Sequence, residues 1–380
     1  LLWSLALFLF LGVWAFGVPA KRPAAKPPLK AAAKSKATVK AAAKAPVRRP
    51  LRRRSYDPWK EPSFGDPTLG DLPDGEDPVV RKAAVDALGW FNGSVVVVDP
   101  ATGRILSIVN QRLAFKPGFT PCSTIKLMTS LAGLSEGLVA DRTSVIPIGR
   151  YTRMDMTEAL AHSNNPYFAR IGEKLGLDRI VYHARLLGLG ERATLDTQQE
   201  EPGTIYQDPA RAGGLGMMTS FGHGFQVSPL ELAAMMSVIA NRGTLFYLQY
   251  PRTPEEAARF QPRVKRQLDI GRWVDELKPG MLGAVEYGTG RRAYTEGGEQ
   301  IYGKTGTCTD ESSPTHLGWF GAFNEFGGKR LAVAVLLTGG RAVNGPVASG
   351  VAGAFFRNLI RAGYLQPERS APVVSAEQAQ

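Results

Sequence analysis

The sequence predicts an α+β fold, one antiparallel sheet of N- and C-terminal strands with an inserted helical lobe. Two patterns carry that expectation. Strand-like apolar runs lie near residues 93–110 and again near 300–309, 316–323 and 330–338. Between them, about 122–242 reads as largely helical, and a further helix is expected over Val347–Arg361. Strands that flank so long a helical stretch share one sheet if the stretch is set aside as a lobe. A cleft then lies between lobe and sheet.

In chain order, Leu1–Val18 carries no charge and is almost wholly apolar. That is near the length of a membrane span, so residues 1–18 read as a membrane anchor or a signal segment. Residues 19–56 hold 13 of the 46 Lys and Arg and no Asp or Glu. The formal charge of +12 therefore belongs to this Ala/Lys/Pro-rich linker, which cannot bury a core. Following an apolar segment, it suits an anionic envelope surface better than nucleic acid. A Pro/Gly/Asp-rich lead-in is expected over 57–89, a folded domain over 90–363, and a disordered tail over 364–380. Within the domain, Ser228 and Glu231 are spaced as a capping box for a helix that Gly243 ends.

Three short strings stand in one order: Ser123-Thr124-Ile125-Lys126, Ser163-Asn164-Asn165 and Lys304-Thr305-Gly306-Thr307. A lone Ser-x-x-Lys is as a rule a solvated helix face. The ordered set supplies parts for acyl transfer without a histidine. A serine hydroxyl needs a neighbouring base, and residues three apart share a helix face, so Lys126 can reach the Ser123 oxygen. Prolines and a glycine in Phe115–Pro121 mark a loop, after which Ser123–Leu134 reads as a buried helix with Ser123 at its N-terminus. Burial and a second cation, Lys304, would lower the Lys126 pKa and make it a base. Ser163 and Asn165 fall in a short connection between helices. There Ser163 can pass a proton to a leaving amine and Asn165 can hold an amide. Lys304 offers a charge to a carboxylate, Gly306 permits close backbone approach, and the N–H of Thr307 can join that of Ser123 as an oxyanion hole. Singly, the second string reads as a capped helix break rather than a site.

Together the three strings resemble the motifs of the penicillin-binding protein and serine β-lactamase superfamily. Val95–Leu106 is similar to the opening hairpin of its transpeptidase domains, Ser220–Leu232 to the segment that leads into a long helix, and Leu317–Phe323 to the strand after the third motif. The likeness covers about 90–363 and is nearest to the high-molecular-weight D,D-transpeptidases. It implies a transpeptidase catalytic domain on the extracytoplasmic (periplasmic) face of the plasma membrane, working through a Ser123 acyl-enzyme. Lys126, Ser163, Asn165 and Lys304 would be catalytic, with Thr305, Gly306 and Thr307 binding substrate. Peptidoglycan stem peptides would be the substrates and β-lactams covalent inhibitors. Attachment to the membrane through the N-terminal segment and contact with cell-wall synthesis proteins are implied as well.

No cofactor, metal or nucleic acid is expected; the four histidines are scattered and two cysteines cannot build a zinc cluster. Two other functions stay open. One is a serine β-lactamase with Glu200 or Glu201 as hydrolytic base; the other is a non-catalytic penicillin-sensing or wall-binding module. Cys122 precedes the nucleophile and Cys308 follows Thr307, and the pair resembles a bridge found in some serine carbapenemases. A Cys122–Cys308 disulfide is therefore expected in an oxidising compartment.

Overall fold

The computed structural model describes residues 56–366 except 196, 198, 298, 310–315 and 341. The expected span over 1–18, the basic linker up to Ser55 and the tail beyond Gln366 lie outside the described residues. Helix α1 (Pro78–Leu88) comes first, with Pro78 preset for a first helical turn and the Asp77 carboxylate accepting from the N–H groups of Val79 and Val80. The lead-in expected over 57–89 is thus partly helical, because Val80, Ala83, Ala84 and Leu88 have a sheet face to bury against. Hairpin strands β1 (Gly93–Asp99) and β2 (Arg104–Val109) follow. The lobe contributes α2 (Lys126–Ser135), α3 (Met156–Ala161), α4 (Asn165–Leu186), α5 (Leu215–Phe221), α6 (Pro229–Ala240) and α7 (Gly271–Glu286). The chain returns through β3 (Ile301–Thr309), β4 (His316–Asn324) and β5 (Ala332–Thr338), then α8 (Gly345–Arg361).

The long strands form one five-stranded antiparallel sheet in the order β2-β1-β5-β4-β3. Alternation along each strand divides the core. Val96 and Val98 face the lobe with Ala334, Leu336, Trp319 and Phe323. Val95 and Val97 face the other way with Val333, Val335, Phe320 and the α8 residue Phe355. Helices cover both faces, which is why these strands read as unbroken apolar runs. Helix α6 is buried along its whole length, and its capping box is made: Ser228 Oγ accepts from Glu231 N–H at 3.1 Å while Glu231 Oε2 accepts from Ser228 N–H at 2.7 Å.

Two elements depart from expectation. Helix α7 has no counterpart in the sequence reading, since Gly271, Pro279, Gly280 and Gly283 all argue against a helix. Burial of Val274, Leu277 and Met281 outweighs them. Residues 364–366, counted with the tail in the sequence, are part of the described structure. Leu365 is fully buried in the outer core, and the Tyr364 hydroxyl donates to Asp77 at 3.0 Å.

Candidate active site

Ser123 stands in a 3-10 turn, Cys122–Ile125, immediately before α2 rather than in the α-helix itself. Cys122 takes a left-handed φ of 53°, so the chain turns out of the preceding loop more sharply than an α-helical first turn allows. The turn lies directly against β3. A Cβ on Gly306 would stand 2.9 Å from the Pro121 carbonyl oxygen, so only glycine lets turn and strand approach this closely. Across the same contact a disulfide joins Cys122 to Cys308, with Cα atoms 5.5 Å apart.

Lys126 begins α2 and is fully buried. Its Nζ donates to the Ser163 carbonyl at 2.6 Å and to Asn165 Oδ1 at 2.6 Å, stands 2.9 Å from Ser163 Oγ, and lies 5.4 Å from the centre of the Phe168 ring. Ser163 also has a left-handed backbone, φ 55°, and that turn offers both its oxygens to one amine. Asn164, between them, caps α4 by accepting from Tyr167 N–H at 2.9 Å, which leaves the Asn165 side chain to the lysine.

The Ser123 hydroxyl donates instead to the Ser220 carbonyl at 3.4 Å. Direct reach from Lys126 to the Ser123 oxygen, expected from the helical spacing, is therefore not the arrangement present. Three oxygens of the second motif hold the lysine in place of one hydroxyl. Catalytic hydrogen bonds commonly close only around a substrate.

Burial pushes the Lys126 amine down to about 5, with the charge of Lys304 adding to the effect. Lys304, fully buried on β3, is pushed down to about 7 by burial. At neutral pH Lys126 is thus an uncharged amine. Its two protons suit the carbonyl oxygens of Ser163 and Asn165, and its lone pair is left toward the Ser163 hydroxyl.

Alternation on β3 puts Lys304, Gly306 and Cys308 toward the lobe and Thr305 and Thr307 on the opposite face. Thr307 Oγ1 accepts from Gly345 N–H at 2.8 Å, at the start of α8. The hydroxyls of Thr305 and Thr289 are 2.6 Å apart. Glu200 is fully buried and spends both carboxylate oxygens within its own loop, on Ala193 N–H and Thr194 N–H at 2.8 Å and on the Thr194 hydroxyl at 2.5 Å. Glu201 pairs with Lys116 at 2.5 Å. Neither is bonded to a residue of the three motifs.

Sequence reasoning did not single out Ser220, Phe168, Thr289 or Gly345 as parts of the site. Ser220 acts through a carbonyl and Gly345 through an N–H, and neither leaves a side-chain signature. Thr289 had a readable signal, the glycines on both sides in Gly288-Thr289-Gly290. Among the described residues no group of three or more His, Cys, Asp or Glu is placed to hold a metal ion.

A sheet-and-lobe domain that gathers these three motifs has the architecture of a penicillin-recognising domain. The family model for the penicillin-binding protein transpeptidase domain matches residues 93–361, and the chain belongs to that family. It is 28% identical to stage V sporulation protein D of Bacillus subtilis, over 55% of this chain and 36% of that protein. It is 26% identical to the peptidoglycan D,D-transpeptidase MrdA of Acinetobacter baumannii, over 65% of this chain and 46% of that one. The chain thus spans less than half the length of these two relatives. Among solved structures, the transpeptidase domain of Burkholderia pseudomallei penicillin-binding protein 3 shares the fold, with a TM-score of 0.66 at 19% identity over 78% of this chain and 98% of that one. The D,D-transpeptidase domain of a peptidoglycan glycosyltransferase from Eggerthella lenta does so at 0.59 and 22%, over 75% and 81%.

Proposed function

We propose that the protein is a D,D-transpeptidase that cross-links peptidoglycan stem peptides through a Ser123 acyl-enzyme. The observation that carries this reading is Lys126, a fully buried amine bonded to Ser163 and Asn165 of the second motif. Lys304 draws the donor's terminal carboxylate to the edge of β3, where Thr305 and Thr307 offer hydroxyls. The scissile carbonyl lies over the N–H groups of Ser123 and Thr307. Ser123 swings from the Ser220 carbonyl to Lys126, yields its proton and attacks the carbonyl carbon. The C–N bond breaks, and terminal D-Ala departs with a proton passed through Ser163. An acceptor amine then attacks the ester, forms the new amide and returns a proton to the Ser123 oxygen. Water in the amine's place gives the carboxypeptidase reaction.

The chemistry requires an extracytoplasmic location, which the apolar Leu1–Val18 segment and the disulfide favour. No helix among the described residues is long and apolar enough to cross a membrane.

Mass measurement after brief and long exposure to benzylpenicillin tests the assignment. The expected result is one intact penicillin gained and kept for many minutes, because Glu200 and Glu201 are engaged elsewhere. Fast nitrocefin turnover, lost on Glu200→Gln or Glu201→Gln, would move the assignment to β-lactam hydrolysis.

The two lysines also set a pH profile. Acylation needs Lys126 neutral, so it rises as pH climbs through about 5. It needs Lys304 charged for a carboxylate-bearing donor, so kcat/KM falls again as pH passes about 7. A donor with an esterified carboxylate should lose the alkaline limb and keep the acid one; stopped-flow acylation rates across pH 4–9 (a window spanning both limbs) read both.

A further inference from the structure

We propose that Thr289 is a positioning residue for the donor carboxylate, holding the Thr305 hydroxyl so that its proton points at the substrate. Thr289 has this role only within the transpeptidase reading above, which it extends to a residue outside the three motifs.

The comparison that points to it is with Thr307. A backbone N–H can only donate, so Gly345 N–H occupies a lone pair of Thr307 Oγ1 at 2.8 Å and leaves the Thr307 proton to be given forward. Thr305 lies two residues earlier on the same face of β3 and has a hydroxyl behind it too, Thr289 Oγ1 at 2.6 Å. That partner is firmly held. Thr289 N–H donates to the Ala161 carbonyl at 3.1 Å, and the flanking Gly288 and Gly290 N–H groups donate to Gly283 at 2.8 Å and Ala284 at 2.7 Å. Ala161 ends α3, two residues before Ser163, so Thr289 ties the second-motif turn to the third-motif strand.

Two hydroxyls in contact have two proton arrangements. In one, Thr305 donates to Thr289, whose own proton turns to the Ala161 carbonyl at 3.5 Å, the outer limit of a hydrogen bond. In the other, Thr289 donates to Thr305, and Thr305 donates to whatever lies in front. A carboxylate there makes that forward bond charge-assisted and selects the second arrangement. An ester gains far less. The pair therefore discriminates a free terminal carboxylate from an uncharged end with no movement of backbone.

The test compares acylation of the whole protein by benzylpenicillin and by its methyl ester, followed by intact mass. In Thr289→Val the second-order rate with the acid falls roughly tenfold, the scale of one hydrogen bond to a charged group, and the rate with the ester changes much less. Thr289→Ser keeps the acid-to-ester ratio of the parent. In a Thr305→Val background, Thr289→Val leaves the ratio unchanged, since Thr289 acts through Thr305. Equal slowing of acid and ester in Thr289→Val, or a ratio that does not move, overturns the proposal. If valine prevents folding, Thr289→Ala is read by the same ratio. A parent protein that takes up neither compound overturns the acyl-enzyme reading itself, and this role with it.

Discussion

Ser123→Ala protein is expected to take up no fluorescent penicillin, and Lys126→Ala protein to be labelled at least ~100-fold more slowly, the scale of a positioned general base. The two losses differ in kind. Alanine at 123 removes the only atom that can carry the acyl group, so no slower route remains. Alanine at 126 leaves the hydroxyl and both oxyanion N–H groups but no acceptor for the proton. It also frees three oxygens, the Ser163 carbonyl and hydroxyl and Asn165 Oδ1, that the amine now holds together. Methionine at 126 fills the buried space without a base and separates lost chemistry from lost packing. Undiminished labelling of Ser123→Ala, measured by gel fluorescence against the parent, would end the assignment.

Reduction of the Cys122–Cys308 bridge, or its removal as a double alanine variant, lowers both thermal stability and acylation. The cysteines are 186 residues apart, and closing so long a loop gives a chain-entropy ceiling of roughly 5 kcal/mol. Whole domains are stable by only about 5–15 kcal/mol, so even part of that ceiling is a large loss. The effect on rate has a separate cause. Cys122 is held at φ 53°, a conformation that costs a non-glycine residue about 1–3 kcal/mol and persists only where its surroundings enforce it. Without the bridge Cys122 can relax, and the N–H of Ser123 turns with it. Acylation per folded molecule therefore drops well below the melting transition, where almost no protein is unfolded. Equal melting midpoints and equal acylation rates with and without dithiothreitol would leave the bridge with neither role.

Much of the fold was legible because burial wrote it plainly. Val95 to Val98 and Leu331 to Leu337 are apolar on both faces and could only be strands inside a layered domain. The box formed by Ser228 and Glu231 announced α6. The motif residues were legible because their side chains carry the chemistry. What escaped is carried by backbone or by distant packing. Nothing in the letters marks Cys122 and Ser163 as left-handed, since glycine is the residue that usually signals that conformation. So the displacement of Ser123 from α2, and the capture of Lys126 by Ser163 and Asn165, were hidden. Helix α7 escaped because proline and glycine spoke against it locally while the lobe core, built by remote residues, held it; α1 escaped because the sheet face it buries against is likewise built by remote residues.

The pairing of β1 with β5 bears on how this protein comes into being. Val96 lies opposite Ala334, and the entire lobe is strung between them. As the chain is made, the hairpin of β1 and β2 emerges early, yet two strands alone are barely stable in water. Helices of the lobe form from near neighbours and fold quickly, whereas contacts between remote stretches of chain come late. The sheet cannot close before β5 is made: a chain that stalls before Ala332 lacks the strand that joins the N-terminal hairpin to β4 and β3.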